Sequence, residues 1–557
     1  MDLRPPSQVM KLDRMGAFHQ TRLSFMRSLL RRLKRENWSF SRPVWNMNDK
    51  GVGVGVYSAS GPDRSYSLVC FSHDLDPANR SDRSIATEWD ATFTTFDGVP
   101  DESDLERLSH QVPKQEAGRV SDTEFTLSRA NRSVRLFEHV IERLAAGRQP
   151  DRSKIDAVGY LMRTTAVYGS GKFGAASRDK IVNRREVSQP FQIEMLTVFM
   201  IRAFTIDIVE HLANCRSPET ATVMEPELRR RLGVGNSTGL GMAPFLVTHP
   251  LLLNNWISAR ETALARVRSL QSANHQQIKT FVRLVDQSRD GCLSWNTSDA
   301  RQAERIRQLQ ADLVLLADQV NGGALAKTGP WDALYQWAES ALGLEAQELV
   351  VSLIIEPHGE LVDDLLEAMS ADERAQFTID GSMMVKDFRA LVTNVYDWAL
   401  DIDFERPECR AKYWYVSENK LEPRVGDRAT LAEMGDLEMP VAVGRDIVAM
   451  LKDLDGWPDD TTLASFLLRH PEHRHVARRA QVAQNFPYSE IRNNLLHKET
   501  LPLDMLRCKL SFFGATRFDP KSDLWTRITM FQNAPFPHEL ENLDADDWVF
   551  AGSRDIK

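Results

Sequence analysis

Cysteine is scarce in this chain, with five in 557 residues, at positions 70, 215, 292, 409 and 508. They form no C-x-x-C pair and no close spacing, which excludes a secretory disulfide framework and predicts reduced thiols in a cytoplasmic protein. An excess of positive charge is missing as well. The net charge is −9 and the pI near 5.9, so the global basic field of a dedicated nucleic-acid binder is absent and no nucleic-acid partner is expected. Long apolar runs are lacking too. The best of them, Phe191 to Leu212, is interrupted by Glu194, Arg202, Asp207 and Glu210, too polar for an unassisted membrane span and suited instead to a buried core helix. Met1 to Gln8 is polar and carries two prolines with no apolar stretch behind it, so no targeting segment is expected. H-E-x-x-H does not occur, which removes the usual zinc-protease reading.

What is present is an ordinary globular balance, 42% hydrophobic and 26% charged, in a chain long enough for several sizeable cores. Near the N-terminus Arg27 to Arg35 reads as a basic amphipathic helix lying across its own domain. From Trp38 to Asp97 the hydrophobic period is two, and Gly51–Tyr57, Tyr66–Phe71 and Glu88–Phe96 read as antiparallel strands. The alternation of glycine with valine from Gly51 to Gly55 predicts a strand with one flat face, not a dinucleotide fingerprint, because no helix opens behind it. Beyond residue 120 helical periods dominate. Thr126–Ala146 reads as one helix ending at Gly147, and Ser153-x-x-Asp156 as a capping-box start for a helix running through Tyr160 to Met162. Trp256–Asp286 and Ala300–Val320 are long enough for an antiparallel helical hairpin. Leu349–Ile355 fits strand or helix. Further helices are expected at Val385–Leu400, Val443–Leu454 and Leu463–Arg469, with no internal repeat of fixed period. The expected fold is α+β and predominantly helical, with a small N-terminal antiparallel sheet followed by a large multi-helix region. Its expected domains cover residues 1–150, 151–325 and 326–557, the last with an aromatic, arginine-rich tail.

Two glycine-rich segments draw attention as sites. Gly233-Val-Gly235-Asn236-Ser237-Thr238-Gly239-Leu-Gly241 sets four glycines and three small polar residues in nine positions. Such a composition brings backbone N–H groups close to an anion, or lets two packed elements cross. Tyr168-Gly-Ser-Gly-Lys172-Phe-Gly174 places a lysine inside a similar loop but lacks the spacing and the hydroxyl of a phosphate-binding loop. On these grounds Gly235, Asn236, Ser237, Thr238 and Gly239 are candidate anion holders, with Arg163, Lys172 and Arg178 as counter-charges. Tyr168, His249 and Glu194 are candidate acid–base groups. Glu194, Thr197, Arg202 and Thr205 fall on one side of the apolar helix, and a charge there must be paired.

The histidines of His470-Pro-Glu472-His473-Arg-His475 are the densest in the chain, but Arg469, Arg474, Arg478 and Arg479 crowd them with charge that opposes a cation. Glu356, His358 and Glu360 form the best mixed cluster, and neither group has a recognised ligand spacing, so no metal site is assigned and no cofactor is required. The leading reading is a soluble cytoplasmic enzyme acting on a small anionic substrate, a carboxylate or phosphate, by proton-transfer or elimination chemistry of the lyase or isomerase kind. A non-catalytic binding or assembly protein, forming homo-oligomers through its helical hairpin, is the rival. The third reading is an enzyme whose organic cofactor stacks on the C-terminal rings Tyr413–Tyr415, Phe512, Phe513, Trp525, Phe531 and Phe536.

Overall fold

Valine, phenylalanine and tyrosine at alternate positions between residues 39 and 72 build three consecutive antiparallel strands, as the period of two dictates. In the computed structural model they are β1 (Ser39–Met47), β2 (Gly53–Ser60) and β3 (Ser65–Ser72), extended by β4 (Ala91–Asp97), β5 (Glu124–Arg132) and β6 (Tyr160–Gly169) into a six-strand meander. The structure describes residues 1–75, 89–114, 121–169, 181, 183–236, 249–367, 369, 378–404, 406, 413–416, 423–426, 436–440, 443–492, 501, 504, 507–519, 527–541 and 548. Of these, residues 165–169, 367, 413–416, 423–426, 436–440, 517–519 and 527 are described by their backbone.

The sheet does not stop at β6. Strand β7 (Gly233–Asn236) pairs parallel to β6, Tyr160 opposite Gly233 and Thr164 opposite Asn236. The crossover between them carries the long helix Gln192–Arg216, as a parallel pair requires. After β7 the chain builds some 270 residues of mainly helical structure. It then returns with β11 (Arg517–Asp519) and β12 (Arg527–Met530), β12 pairing antiparallel to β7 with Ile528 opposite Asn236. The sheet is therefore nine-stranded and mixed, in the order β1-β2-β3-β4-β5-β6-β7-β12-β11. This corrects the expectation of a small N-terminal antiparallel sheet: the sheet is large, contains a parallel pair, and recruits strands from residues 233–236 and 517–530. A second sheet of three strands, β8 (Tyr413–Val416), β9 (Pro423–Gly426) and β10 (Asp436–Pro440), lies in the C-terminal part.

The helices that frame the core and the sites are α1 (Phe25–Arg35), α2 (Phe137–Ala145), α3 (Gln192–Arg216), α4 (Pro250–Arg268), α5 (His275–Leu293), α6 (Ala300–Asn321), α7 (Pro330–Ala341), α8 (Leu344–Ile355), α9 (Val385–Val395), α10 (Val443–Leu454), α11 (Leu463–Arg469) and α12 (Arg474–Asn485). The chain is mostly helical outside its sheet. No helix among the described residues is long and apolar enough to cross a membrane. Helix α3 is apolar around most of its circumference because it is enclosed. It packs on β3 to β7, with α1 and α2 on its other sides, and Leu196, Phe199, Ile201, Phe204 and Ile208 are fully buried in the main core. Burying a side chain of that size contributes about 1.5–3 kcal/mol. The opposite face of the sheet has a smaller core, in which Val56, Val69, Phe96 and Leu127 are covered by Leu108 and Val112.

Local departures from the sequence reading have identifiable causes. Residues 124–132 form β5 instead of the first half of a helix, because the chain there lies between β4 and β6 and both its faces are buried. The helix opening after Asp151 stops at Val158, where Gly159 takes a left-handed conformation (φ 78°) and turns the chain directly into β6. Leu344–Ile355 is helix. The antiparallel hairpin is formed by α5 and α6, while α4 is a separate buried helix.

Candidate functional site

The curled meander leaves a cleft where β1, α3 and the segment 536–541 meet. It encloses about 760 Å³ and is walled by Trp38, Phe40, Met200, Ala203 and Phe536, a size suited to a small molecule. Its polar group is assembled from three elements. Asp207, in the middle of α3, accepts two hydrogen bonds at one oxygen: Tyr57 Oη on β2 and Arg42 Nη1 on β1 each donate to Oδ2 at 2.7 Å. Among the described residues no hydrogen bond reaches its other oxygen. The Arg42 guanidinium lies 4.6 Å over the Trp45 ring, and Trp45 is itself set edge-on to Tyr57 and His211.

Electrostatics assign a role to each group. Burial pushes the Tyr57 phenol well above its ordinary range and the Asp207 charge pushes it further, so Tyr57 stays protonated and acts as a donor. Partial burial works against the charge of Arg42, and Asp207 and Tyr57 outweigh it, raising its pKa. Arg42 remains a fixed cation, 42% of whose side chain is open to solvent. One turn along α3, Glu210 accepts from Arg229 Nη2 at 2.7 Å, placing a second guanidinium along the same helix face; Arg229 lines the cleft with Lys34, His538 and Glu541.

The far end of the cleft is shaped by Arg202. Fully buried, it donates to the carbonyl oxygens of Leu232 (2.6 Å), Ala534 (2.7 Å) and Arg230 (3.1 Å), with the Phe536 ring 3.9 Å from its guanidinium carbon. Burial lowers its pKa to about 9. The residue thereby ties α3 to the turn before β7 and to the segment supplying the cleft wall. Arg202 and Thr197 do not share a polar network: Thr197 Oγ1 joins the hydroxyls of Thr95 (2.6 Å) and Thr126 (3.2 Å) under the sheet.

The residues singled out in the sequence are distributed otherwise. Gly233 and Gly235 lie within β7, and a methyl group added to either would meet neighbours at once: Met530 O at 2.3 Å for Gly233 and the Tyr160 ring at 2.7 Å for Gly235. Close strand packing accounts for both glycines. Asn236, buried, ends the strand. Ser237, Thr238 and Gly239 lie outside the described residues, as do Lys172 and Arg178. Tyr168 belongs to β6, its backbone opposite Leu127 and its side chain outside the description. Arg163 is buried on β6, Glu194 is buried in the first turn of α3, and His249 is the residue preceding Pro250 at the start of α4. Of the described ones, Arg163, Glu194, Gly235, Asn236 and His249 do not line the cleft. Of the C-terminal rings, Phe512 and Phe513 are spent in the core, packed on Trp256 (4.4 Å) and Phe191 (4.5 Å) respectively, and Trp525 lies outside the described residues.

The cleft residues Arg42, Tyr57 and Asp207 carried no sequence signal as a group, since they come from three elements up to 165 positions apart. The interruption of an apolar helix by Asp207 was the one visible hint. No protein family, curated protein or solved structure matches this chain.

Proposed function

We propose that the chain is a cytoplasmic binding protein for a small molecule with an apolar body and an anionic group, taken up in the cleft between β1, α3 and residues 536–541. The observation that supports this reading is the Arg42 guanidinium, held by Asp207 and the Trp45 ring at the mouth of an aromatic-walled cleft. A positioned guanidinium binds carboxylates and phosphates through paired donors and is already ordered before the ligand arrives. Lys34 and Arg229 add positive charge at the rim. Tyr57, kept protonated, and the second oxygen of Asp207 supply a hydrogen-bond donor and an acceptor beside it.

The test is calorimetric titration of the full chain with alkyl and aryl carboxylates and phosphates drawn from a thermal-shift screen. Arg42→Ala is expected to weaken binding by about 10- to 100-fold, the worth of one charge-assisted hydrogen-bonded contact. Ligands that bind Arg42→Ala and wild type equally would overturn the assignment.

A further inference from the structure

The corner between α10, α11 and α12 brings together four side chains that the cleft does not use. Helix α11 ends at His470, whose backbone leaves the helical region (φ −122°, ψ 64°), and Pro471 opens a single 3-10 turn over Pro471–His473 that leads straight into α12. This tight turn presents His470, Glu472 and His473 together, and Asp453 in the last turn of α10 comes up against them. His473 Nε2 lies 2.8 Å from Asp453 Oδ2, and His470 Nδ1 lies 3.3 Å from Glu472 Oε1. One nitrogen or oxygen from each of the four residues lies within 4.8 Å of all the others.

The two imidazoles are fixed by packing. The His473 ring is parallel to Phe466 (2° between planes, 5.9 Å between centroids), the His470 ring stacks on the same phenyl at 4.8 Å, and Trp457 closes on His470 edge-on. His473 is buried, whereas the side chains of Asp453 and Glu472 are 46% and 59% exposed. Two held nitrogens and two movable carboxylates form a donor set that can contract around an ion. With bonds of roughly 2.0–2.2 Å, tetrahedral ligand atoms stand about 3.4 Å apart. The His470–Glu472 pair at 3.3 Å already stands near that spacing, the His473–Asp453 pair at 2.8 Å opens to it, and rotation of the exposed carboxylates closes the rest.

Three of the neighbouring arginines have partners outside the cluster. Arg469 lies over the Trp457 ring, Arg479 is held by Glu490, and Arg445 by Asp446. Two carboxylates facing the two imidazoles leave the corner suited to a divalent ion. Mixed imidazole and carboxylate donors select a borderline ion over calcium or magnesium, and four protein ligands make a closed site of the structural kind. From this geometry we infer that Asp453, His470, Glu472 and His473 form a zinc site that clamps the end of α10 to the α11–α12 turn.

The experiment uses the full chain, stripped with chelator and titrated with zinc chloride, with stoichiometry read by calorimetry and folding by thermal melt; cobalt chloride reports geometry through its visible absorption. One equivalent of zinc, a rise in melting temperature and a tetrahedral cobalt spectrum are expected. The double substitution Asp453→Asn with Glu472→Gln alters only exposed side chains, so the stripped variant should melt like stripped wild type while binding zinc at least about tenfold more weakly. His475→Gln, which leaves the four ligands untouched, should bind as wild type does. No stoichiometric uptake, or undiminished affinity in the double variant, would overturn the site.

Discussion

Gly233 and Gly235 show how one residue type serves two opposite readings. Four glycines near Asn236 and Ser237 resemble an anion cradle in sequence, yet two of them are where β7 is squeezed between β6 and β12. Gly235→Ala must displace the Tyr160 ring and is expected to cost about 1–3 kcal/mol; Gly233→Ala meets backbone, which cannot rotate away, and should cost more. Urea unfolding of the two variants against wild type checks the order. Histidine 358 gives a pH prediction. Burial holds its pKa down at about 4, with Arg22 repelling the charge further, and its Nδ1 accepts from Gln277. Between the unfolded value near 6.5 and pH 4, the unfolded chain binds a proton that the folded chain refuses. Stability therefore falls as pH drops through that window. In His358→Gln the difference in unfolding free energy between pH 7 and pH 4.5 should be smaller than in wild type.

At the scale of elements, periodicity located most helices but misjudged where they begin. The apolar spacing of Phe137, Val140, Ile141 and Leu144 is genuinely helical, but the expected helix also takes in Thr126–Arg132, part of a strand (Glu124–Arg132) whose character comes from its neighbours β4 and β6 and not from its own propensity. Strands of three or four residues such as β7, β11 and β12 are shorter than the window in which any period can be counted. A further pairing lay below notice. Met384 bridges Thr462, Val385 N donates to Thr461 O and Leu463 N to Met383 O, so the starts of α9 and α11 are related by a local two-fold, echoed in the sequence only by Val385/Leu463 and Phe388/Phe466. Helix α1, expected to lie across its domain as a solvated basic helix, is instead tied to α8 by a bidentate buried pair, Arg27 with Glu356 at 2.6 and 2.7 Å. Arg27→Met is predicted to destabilise the protein by about 3–5 kcal/mol, whereas joining it to Glu356→Leu should recover most of that loss. A double-mutant cycle by denaturant titration decides the point.

Across the whole molecule, the first residues are held by charges that composition cannot reveal. Arg4 donates to Glu261 on α4 at 2.8 and 2.9 Å and to Glu348 on α8 at 3.0 Å, with Arg260 and Arg14 completing the cluster. Burial alone would raise the Glu261 carboxyl; Arg4 and Arg260 reverse that and hold it down. Arg4→Ala leaves two buried carboxylates short of positive charge, and the expected results are a loss of about 3–5 kcal/mol and cleavage near the N-terminus in limited proteolysis that spares wild type. The candidate cleft is equally a property of the whole, since its walls come from residues 33–57, 200–229 and 536–541. No window of sequence holds it.

The pairing of Ile528 with Asn236 also sets an order of events in the cell. A ribosome delivers β1 to β7 long before it reaches residue 527, so β7 presents an open edge while almost 300 further residues are translated. During that interval β7 is a template for any stray strand. Biosynthesis of this protein should accordingly depend on holdase chaperones, and heterologous expression should gain more from slow, cold translation than from any change to the mature surface.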